Sequence, residues 1–135
     1  MPIRSLSEAQ NIQSSNLNMA ALGKVHGAAR ADCVMIYTLE TETPGTDVHV
    51  RMFAPAYGIV EDPATGSGNG ALGAYLVNQH VVPVTPPTTH IVSEQGLEIN
   101  RPSTIYIEVD GSYDNLSAVR VGGQARIIAE GTLSF

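Results

Sequence analysis

The chain has 135 residues, of which 43% are hydrophobic and 15% charged, with a formal net charge of -6. That length gives one domain its own core and does not argue for two. The acidic balance argues against nucleic acid or an anionic membrane as the main partner, and no apolar run approaches the ~18 residues that span a bilayer. Cys33 is the single cysteine, so no internal disulfide is expected, which fits a reducing compartment. The opening MPIRSLSEAQ lacks the apolar centre of a secretory signal, and the expected localisation is cytoplasmic.

Taken in order, Ser5 and Glu8 have capping-box spacing and open a helix that runs to Gln13. Ser14 or Ser15 then caps a second helix to about Gly23, with Leu17, Ala20, Ala21 and Leu22 as its apolar side. Residues 1–30 are expected to be a helical arm or linker, and residues 31–135 the folded unit. Cys33 to Thr38 is a short apolar run with β-branched and aromatic residues, a buried strand. After a turn at Pro44-Gly45, Val48, Val50 and Met52 alternate with His49, Arg51 and Phe53, which makes a second strand antiparallel to the first. Ala54 to Val60 reads as a loop.

The stretch EDPATGSGNGALGAYLVNQH, Glu61 to His80, follows. Ala71 to Val77 is apolar or small on every side, and such a helix is expected to be buried all round. Beyond it, Pro83, Pro86 and Pro87 mark an extended connector, and His90 to Gln95 reads as a strand ended by Gly96. Ser103 to Val109 is the clearest strand, with Ile105, Ile107 and Val109 on one face. Val119 to Val121, the pair Gly122-Gly123, and Ala125 to Ile128 are expected to form a hairpin, with Leu133 to Phe135 continuing that edge. The predicted fold is α+β: a curled, mostly antiparallel sheet wrapped round one central apolar helix.

Chemistry points to the start of that helix. Pro63 fixes φ and suits a turn entering a helix. The first backbone N–H groups of a helix have no partner within it, and with the helix dipole they favour an anion. Asp, Thr or Ser at such a position can also serve only as a cap. Three glycines, Gly66, Gly68 and Gly70, tilt the balance, because each costs a helix roughly 1 kcal/mol relative to alanine and permits close backbone approach. Of the adjacent carboxylates, Asp62 is nearer the helix and is the one expected to point into a site. Glu61, like most neighbouring carboxylates in a turn, is expected to be solvated.

Other constellations fail on context. Gly68-Asn-Gly70-Ala-Leu-Gly73 matches a dinucleotide fingerprint, but no strand ends at its first glycine and the following strands do not read as parallel βαβ units. His26, His49, His80 and His90 have no metal-ligand spacing, and no metal is expected. Ser67 lies in no nucleophile elbow.

Taken together, Arg51-Met-Phe-Ala-Pro55, Glu61-Asp-Pro-Ala-Thr-Gly-Ser67, Glu94-Gln-Gly96, Arg101-Pro-Ser103 and Val119-Arg-Val-Gly-Gly-Gln-Ala125 resemble the phenazine-biosynthesis isomerase (PhzF-like) family, in the family's order. The resemblance runs from about Cys33 to Thr132 and covers only the second of the family's two lobes. It implies a diaminopimelate-epimerase-like fold, each lobe a sheet round a central helix, with the active site between them. It also implies a cofactor-independent and metal-free isomerase that removes and re-adds a proton on a small amino- or hydroxy-acid-like substrate. Carried over by position, Asp62 contacts the substrate and has the catalytic label. Gly66, Ser67 and Gly68 hold its carboxylate, and Gly122 and Gly123 line the opening. The family's catalytic glutamate belongs to the other lobe, and no counterpart stands here. The expected partners are therefore a small carboxylate-bearing molecule and either a second copy, as a homodimer, or a missing N-terminal lobe. A non-catalytic carboxylate-binding module or subunit is the competing expectation.

Overall fold

Two carbonyl groups and one arginine explain how the first residues join the sheet. The computed structural model describes residues 1–18, 21, 22, 24, 27 and 33–134. Helix α1, Leu6–Asn11, is capped by the Ser5 hydroxyl, which accepts from the Glu8 N–H at 3.2 Å. Its buried end is tied down by Arg51, whose Nη1 donates to the carbonyls of Ala9 and Ile12, both at 2.6 Å. Before it, Tyr37 donates its N–H to Met1 O and Ile3 donates to Tyr37 O, so residues 1–12 of the expected arm are docked on the sheet. Ser14–Asn16 form a single 3-10 turn rather than the start of a longer helix. Of the rest of that expected helix, residues 19, 20 and 23 lie outside the described residues; within them, Ala21 and Leu22 are helical and the side chain of Asn18 accepts from Ala21 N–H.

Six strands make one sheet: β1 Val34–Thr38, β2 Val48–Ala54, β3 Ile59–Asp62, β4 Thr88–Gln95, β5 Ser103–Ser112 and β6 Asn115–Gly123. The order is β1-β2-β4-β5-β6, with β3 pairing to the far end of β2. Pairing is antiparallel as expected except between β2 and β4, which run parallel through Val48–Ser93, His49–Glu94 and Val50–Gln95. Helix α2, Gly66–Asn78, lies in the hollow of this sheet. Its buried positions Asn69, Leu72, Gly73, Leu76 and Val77 follow helical spacing, and pack with Val48, Val50, Ile91, Ile105, Ile107 and Val109. Gly73 is pressed so closely on Ile107 that an added Cβ would clash with it, and Gly70 faces Val121. Tyr75 meets Tyr37 edge to face, with ring centroids 6.1 Å apart. The helix therefore touches both β1 and β6, the two borders of the sheet. The fold is the predicted α+β arrangement of a curled sheet round a central helix.

Three expectations are corrected. The helix is not buried all round: Ser67, Ala71 and Tyr75 form an exposed stripe, with Tyr75 44% exposed. The sheet curls far enough to cover most of the helix but not the strip between its borders. Second, Ile59–Asp62 is a strand, not the end of a loop, because Met52 and Asp62 pair across from each other. Third, Gly122 and Gly123 do not turn a hairpin. They lie within β6 opposite Tyr106 and Ile105, and the turn is made at Tyr113-Asp114, directly after β5. Glycine tolerates extended backbone, so the long alternating run of β5 finds its partner at once. Residues 124–134 have no regular secondary structure, so among the described residues no edge strand continues beyond β6. Among the described residues, no helix is long and apolar enough to cross a membrane.

Candidate functional site

The turn between β3 and α2 carries the expected site, and its shape is set from below by β4. Thr65 is the N-cap of α2 but does not cap with its own side chain. Its hydroxyl instead donates to Asp62 Oδ2 at 2.5 Å. The first helical bond is made by Asn69 N–H to Thr65 O at 3.0 Å. The N–H groups of Gly66, Ser67 and Gly68 precede it and have no acceptor among the described residues. Gly66 and Ser67 are exposed, and a Cβ on Gly66 would meet nothing within 4 Å. This end of α2 offers the exposed Gly66 and Ser67, a hydroxyl and the positive end of a dipole to solvent, with half-buried Gly68 beside them.

The glycines divide in role. Gly66 leaves open space over the helix end, whereas Gly68 lies against Met35 and Thr65 and Gly70 against Val121. The close approach read from Gly68 and Gly70 is thus by the chain's own side chains. Beside them is an apolar cavity of about 340 Å³, bounded by Met35, Tyr37, Met52, Ala71, Leu72 and Tyr75 among others. A second cavity, of about 350 Å³, lies between Ala64 of the turn and Ser103, Thr104, Gly123 and Gln124. Gly123 therefore still stands near the turn, through Ala64. Gly122 is exposed, opposite Tyr106, and borders a separate surface recess with Glu108, Arg120 and Val121.

The two carboxylates part company. Asp62 is half-buried and fixed by Thr65, and among the described residues nothing donates to its Oδ1. Glu61, expected to be solvated, is a buried ion pair. Arg51 Nε and Nη2 donate to its two carboxylate oxygens, both at 2.8 Å, and the Glu61 side chain is 2% exposed. A bidentate pair of this kind holds a carboxylate in one orientation, so Glu61 is withdrawn from the site.

On the same face of β2, two residues before Arg51, His49 is fully buried between two more carboxylates. Its Nδ1 lies 2.8 Å from Glu94 Oε1 and its Nε2 2.8 Å from Glu98 Oε1. Burial works against a charged ring, but Glu98 and Glu94 outweigh it and raise the His49 pKa above its ordinary value. Burial also opposes both carboxylates. The backbone N–H of Glu42 and Thr43 for Glu94, and His49 for Glu98, overcome it and hold both below the usual range. These buried groups were not singled out from sequence; the signal was a His and an Arg alternating with valines in a strand now buried on both faces. Among the described residues no cluster of three His, Cys, Asp or Glu could hold a metal ion.

Residues 3–131 match the model of the phenazine biosynthesis-like protein family, PhzC-PhzF. The chain belongs to that family. Relatives of this phenazine biosynthesis-like chain include the trans-2,3-dihydro-3-hydroxyanthranilate isomerase of Pseudomonas aeruginosa, 39% identical over 84% of the chain and 41% of that protein. Another is an uncharacterized isomerase of Clostridium acetobutylicum, 31% identical over 97% of the chain and 42% of that protein. The chain thus spans about two-fifths of the length of these curated relatives. In fold it is similar to a Bacillus anthracis phenazine biosynthesis protein of the PhzF family, with a TM-score of 0.73 and 24% identity over 90% of this chain and 40% of that one. It is also similar in fold to a methylitaconate-delta-isomerase, with a TM-score of 0.51 and 18% identity over 76% of this chain and 26% of that one.

Proposed function

We propose that this chain is one half of a cofactor-independent isomerase that moves a proton on a small amino- or hydroxy-acid-like substrate. The observation that carries the proposal is the open start of α2: N–H groups at Gly66, Ser67 and Gly68 with no acceptor among the described residues, beside a carboxylate held by Thr65. Those amides and the Ser67 hydroxyl suit a substrate carboxylate. They also suit the negative charge that spreads onto it when a proton leaves the adjacent carbon. Asp62 would receive the substrate's amine or hydroxyl through its open oxygen, and Gly123 beside Ala64 would border the opening.

Removing a proton from carbon needs a base within about 2.6–3.2 Å of it. Glu61 is taken by Arg51, and we read Asp62, which accepts from the Thr65 hydroxyl, as orienting the substrate rather than abstracting its proton. The base is therefore assigned to a partner lobe, contributed by a longer polypeptide or another subunit. The withdrawal of Glu61 equally supports a second proposal, a non-catalytic module that only holds a small carboxylate. Deuterium incorporation from heavy water into a cyclic amino-acid substrate separates the two. We expect no appreciable exchange by the 135-residue chain, and some exchange once a first lobe from a relative is added. If the added lobe restores nothing, the binding module is favoured. Robust exchange by the chain alone, abolished by Asp62→Asn, would make Asp62 the base and overturn this division of labour.

A further inference from the structure

Gln95, the last residue of β4, is fully buried and uses every hydrogen-bonding position of its side-chain amide on the turn and the helix above it. Its Oε1 accepts from Thr65 N–H at 3.2 Å and from Asn69 Nδ2 at 2.9 Å. Its Nε2 donates to Asp62 O at 2.6 Å and to Thr65 Oγ1 at 3.0 Å. An amide has two donor and two acceptor positions, and here all four are filled.

The direction of each bond follows from groups that can act in one way only. A backbone N–H donates and a backbone carbonyl accepts, so Thr65 N–H fixes which end of Gln95 is oxygen, and Asp62 O fixes which end is nitrogen. With nitrogen on that side, Thr65 Oγ1 is an acceptor from Gln95. A hydroxyl has one proton, and the proton of Thr65 is left to point at Asp62 Oδ2. Asp62 Oδ2 must then be an acceptor, and among the described residues nothing donates to the second carboxylate oxygen. We infer that Gln95 is a positioning residue for the isomerase half-site. Acting through Thr65, it fixes the Asp62 carboxylate as a hydrogen-bond acceptor aimed at the amine or hydroxyl of the substrate.

Gly96 completes the support. At φ 81° it is in the left-handed region, and a Cβ there would run into the carbonyl oxygens of Pro63 and Arg101. The end of β4 is therefore packed directly beneath the turn, within reach of the four hydrogen bonds that Gln95 makes.

The inference rests on the placement of Asp62 against substrate proposed above, and the test separates the two. Two probes of nearly equal size, propionate and alanine, share a carboxylate and differ in the amine. Binding to the full chain is followed through the amide shifts of Gly66, Ser67 and Gly68. The wild-type chain is expected to bind both and to prefer alanine by about tenfold, the worth of one hydrogen bond to a charged group. Gln95→Glu keeps the size and both acceptors and, ionised, cannot donate; read above the pH at which it ionises, it is expected to keep propionate binding and to lose most of the preference for alanine. Because a buried glutamate can prevent folding, Thr65→Val and Thr65→Ser test the next link of the same chain. The valine should lose the preference and the serine keep it. A structural role alone would weaken both probes together. If wild type binds neither probe, the site proposal falls and this inference with it. If wild type prefers alanine, and Gln95→Glu or Thr65→Val prefers it equally, the site stands and the role of Gln95 is overturned.

Discussion

His49 and Arg51 stand two apart on β2, project to the same side, and face three acidic side chains between them: Glu94 on β4, Glu98 just beyond it, and Glu61 on β3. A neutral imidazole can donate from one nitrogen only, yet both ring nitrogens of His49 meet a carboxylate oxygen. The charged ring satisfies both, and its raised pKa follows from that geometry. The linkage has a definite sign. A group whose pKa is higher folded than unfolded contributes its full stability below the unfolded value, 6.5 for histidine, and loses it as pH rises through the folded value. Glu94 and Glu98, held low, contribute above their ordinary 4.5 and lose it as pH falls through their folded values. Stability is therefore expected to be greatest between those limits and to fall on the alkaline side. His49→Gln should cost about 3 kcal/mol near pH 6, as breaking one partner of a buried pair does, and should flatten the alkaline decline. Urea midpoints across pH 5 to 9 for both proteins measure this; parallel curves would show that His49 does not titrate with folding.

Among the elements, α2 shows packing overruling local preference. Alanine is favoured over glycine in a helix by roughly 1 kcal/mol. At Gly66, where a Cβ meets nothing, Gly66→Ala should leave stability unchanged or slightly raised. At Gly73, where a Cβ runs into Ile107, overpacking costs about 1–3 kcal/mol, so Gly73→Ala should be destabilising despite the same gain in propensity. Equal effects at the two positions, read as shifts in the urea midpoint, would contradict the close seating of helix on sheet. The elements also show which parts of the fold were legible in sequence. β5 was, because Ile105, Ile107 and Val109 alternate into one core. β3 was not: it is four residues long, Ile59 and Val60 are exposed, and it is held by Arg51 and a bulged pairing rather than by apolar alternation. Asp62 and the helix start announced themselves through turn chemistry. Gln95 did not, because its partners lie about thirty positions back along the chain, and only the parallel pairing of β2 with β4 brings it beneath the turn.

For the whole molecule, the strip of α2 between the sheet borders matters most. Ala71 and Tyr75 are exposed there, Val119 and Val121 of β6 are each 37% exposed beside it, and Ile127, Ile128 and Leu133 beyond β6 are more open still. Exposed apolar area on this scale tends to find a partner, and the simplest closed arrangement is a two-fold dimer. We expect the chain to self-associate in solution and Tyr75→Lys to shift it towards monomer. Sedimentation across a wide concentration range measures both; a single monomeric species throughout would overturn the expectation.

The clamp of Gln95 on residues 62–69 also has a practical consequence for anyone wishing to transplant this site. The heptapeptide Glu61 to Ser67 looks like a portable cassette, short and self-contained. Its conformation, however, is written elsewhere: in an amide on β4, a glycine after it and an arginine on β2. Grafted onto another scaffold, the same seven residues would arrive without the parts that hold them. Only a host that also supplies a strand running beneath the loop, with a glutamine at its end, could present Asp62 in the same way.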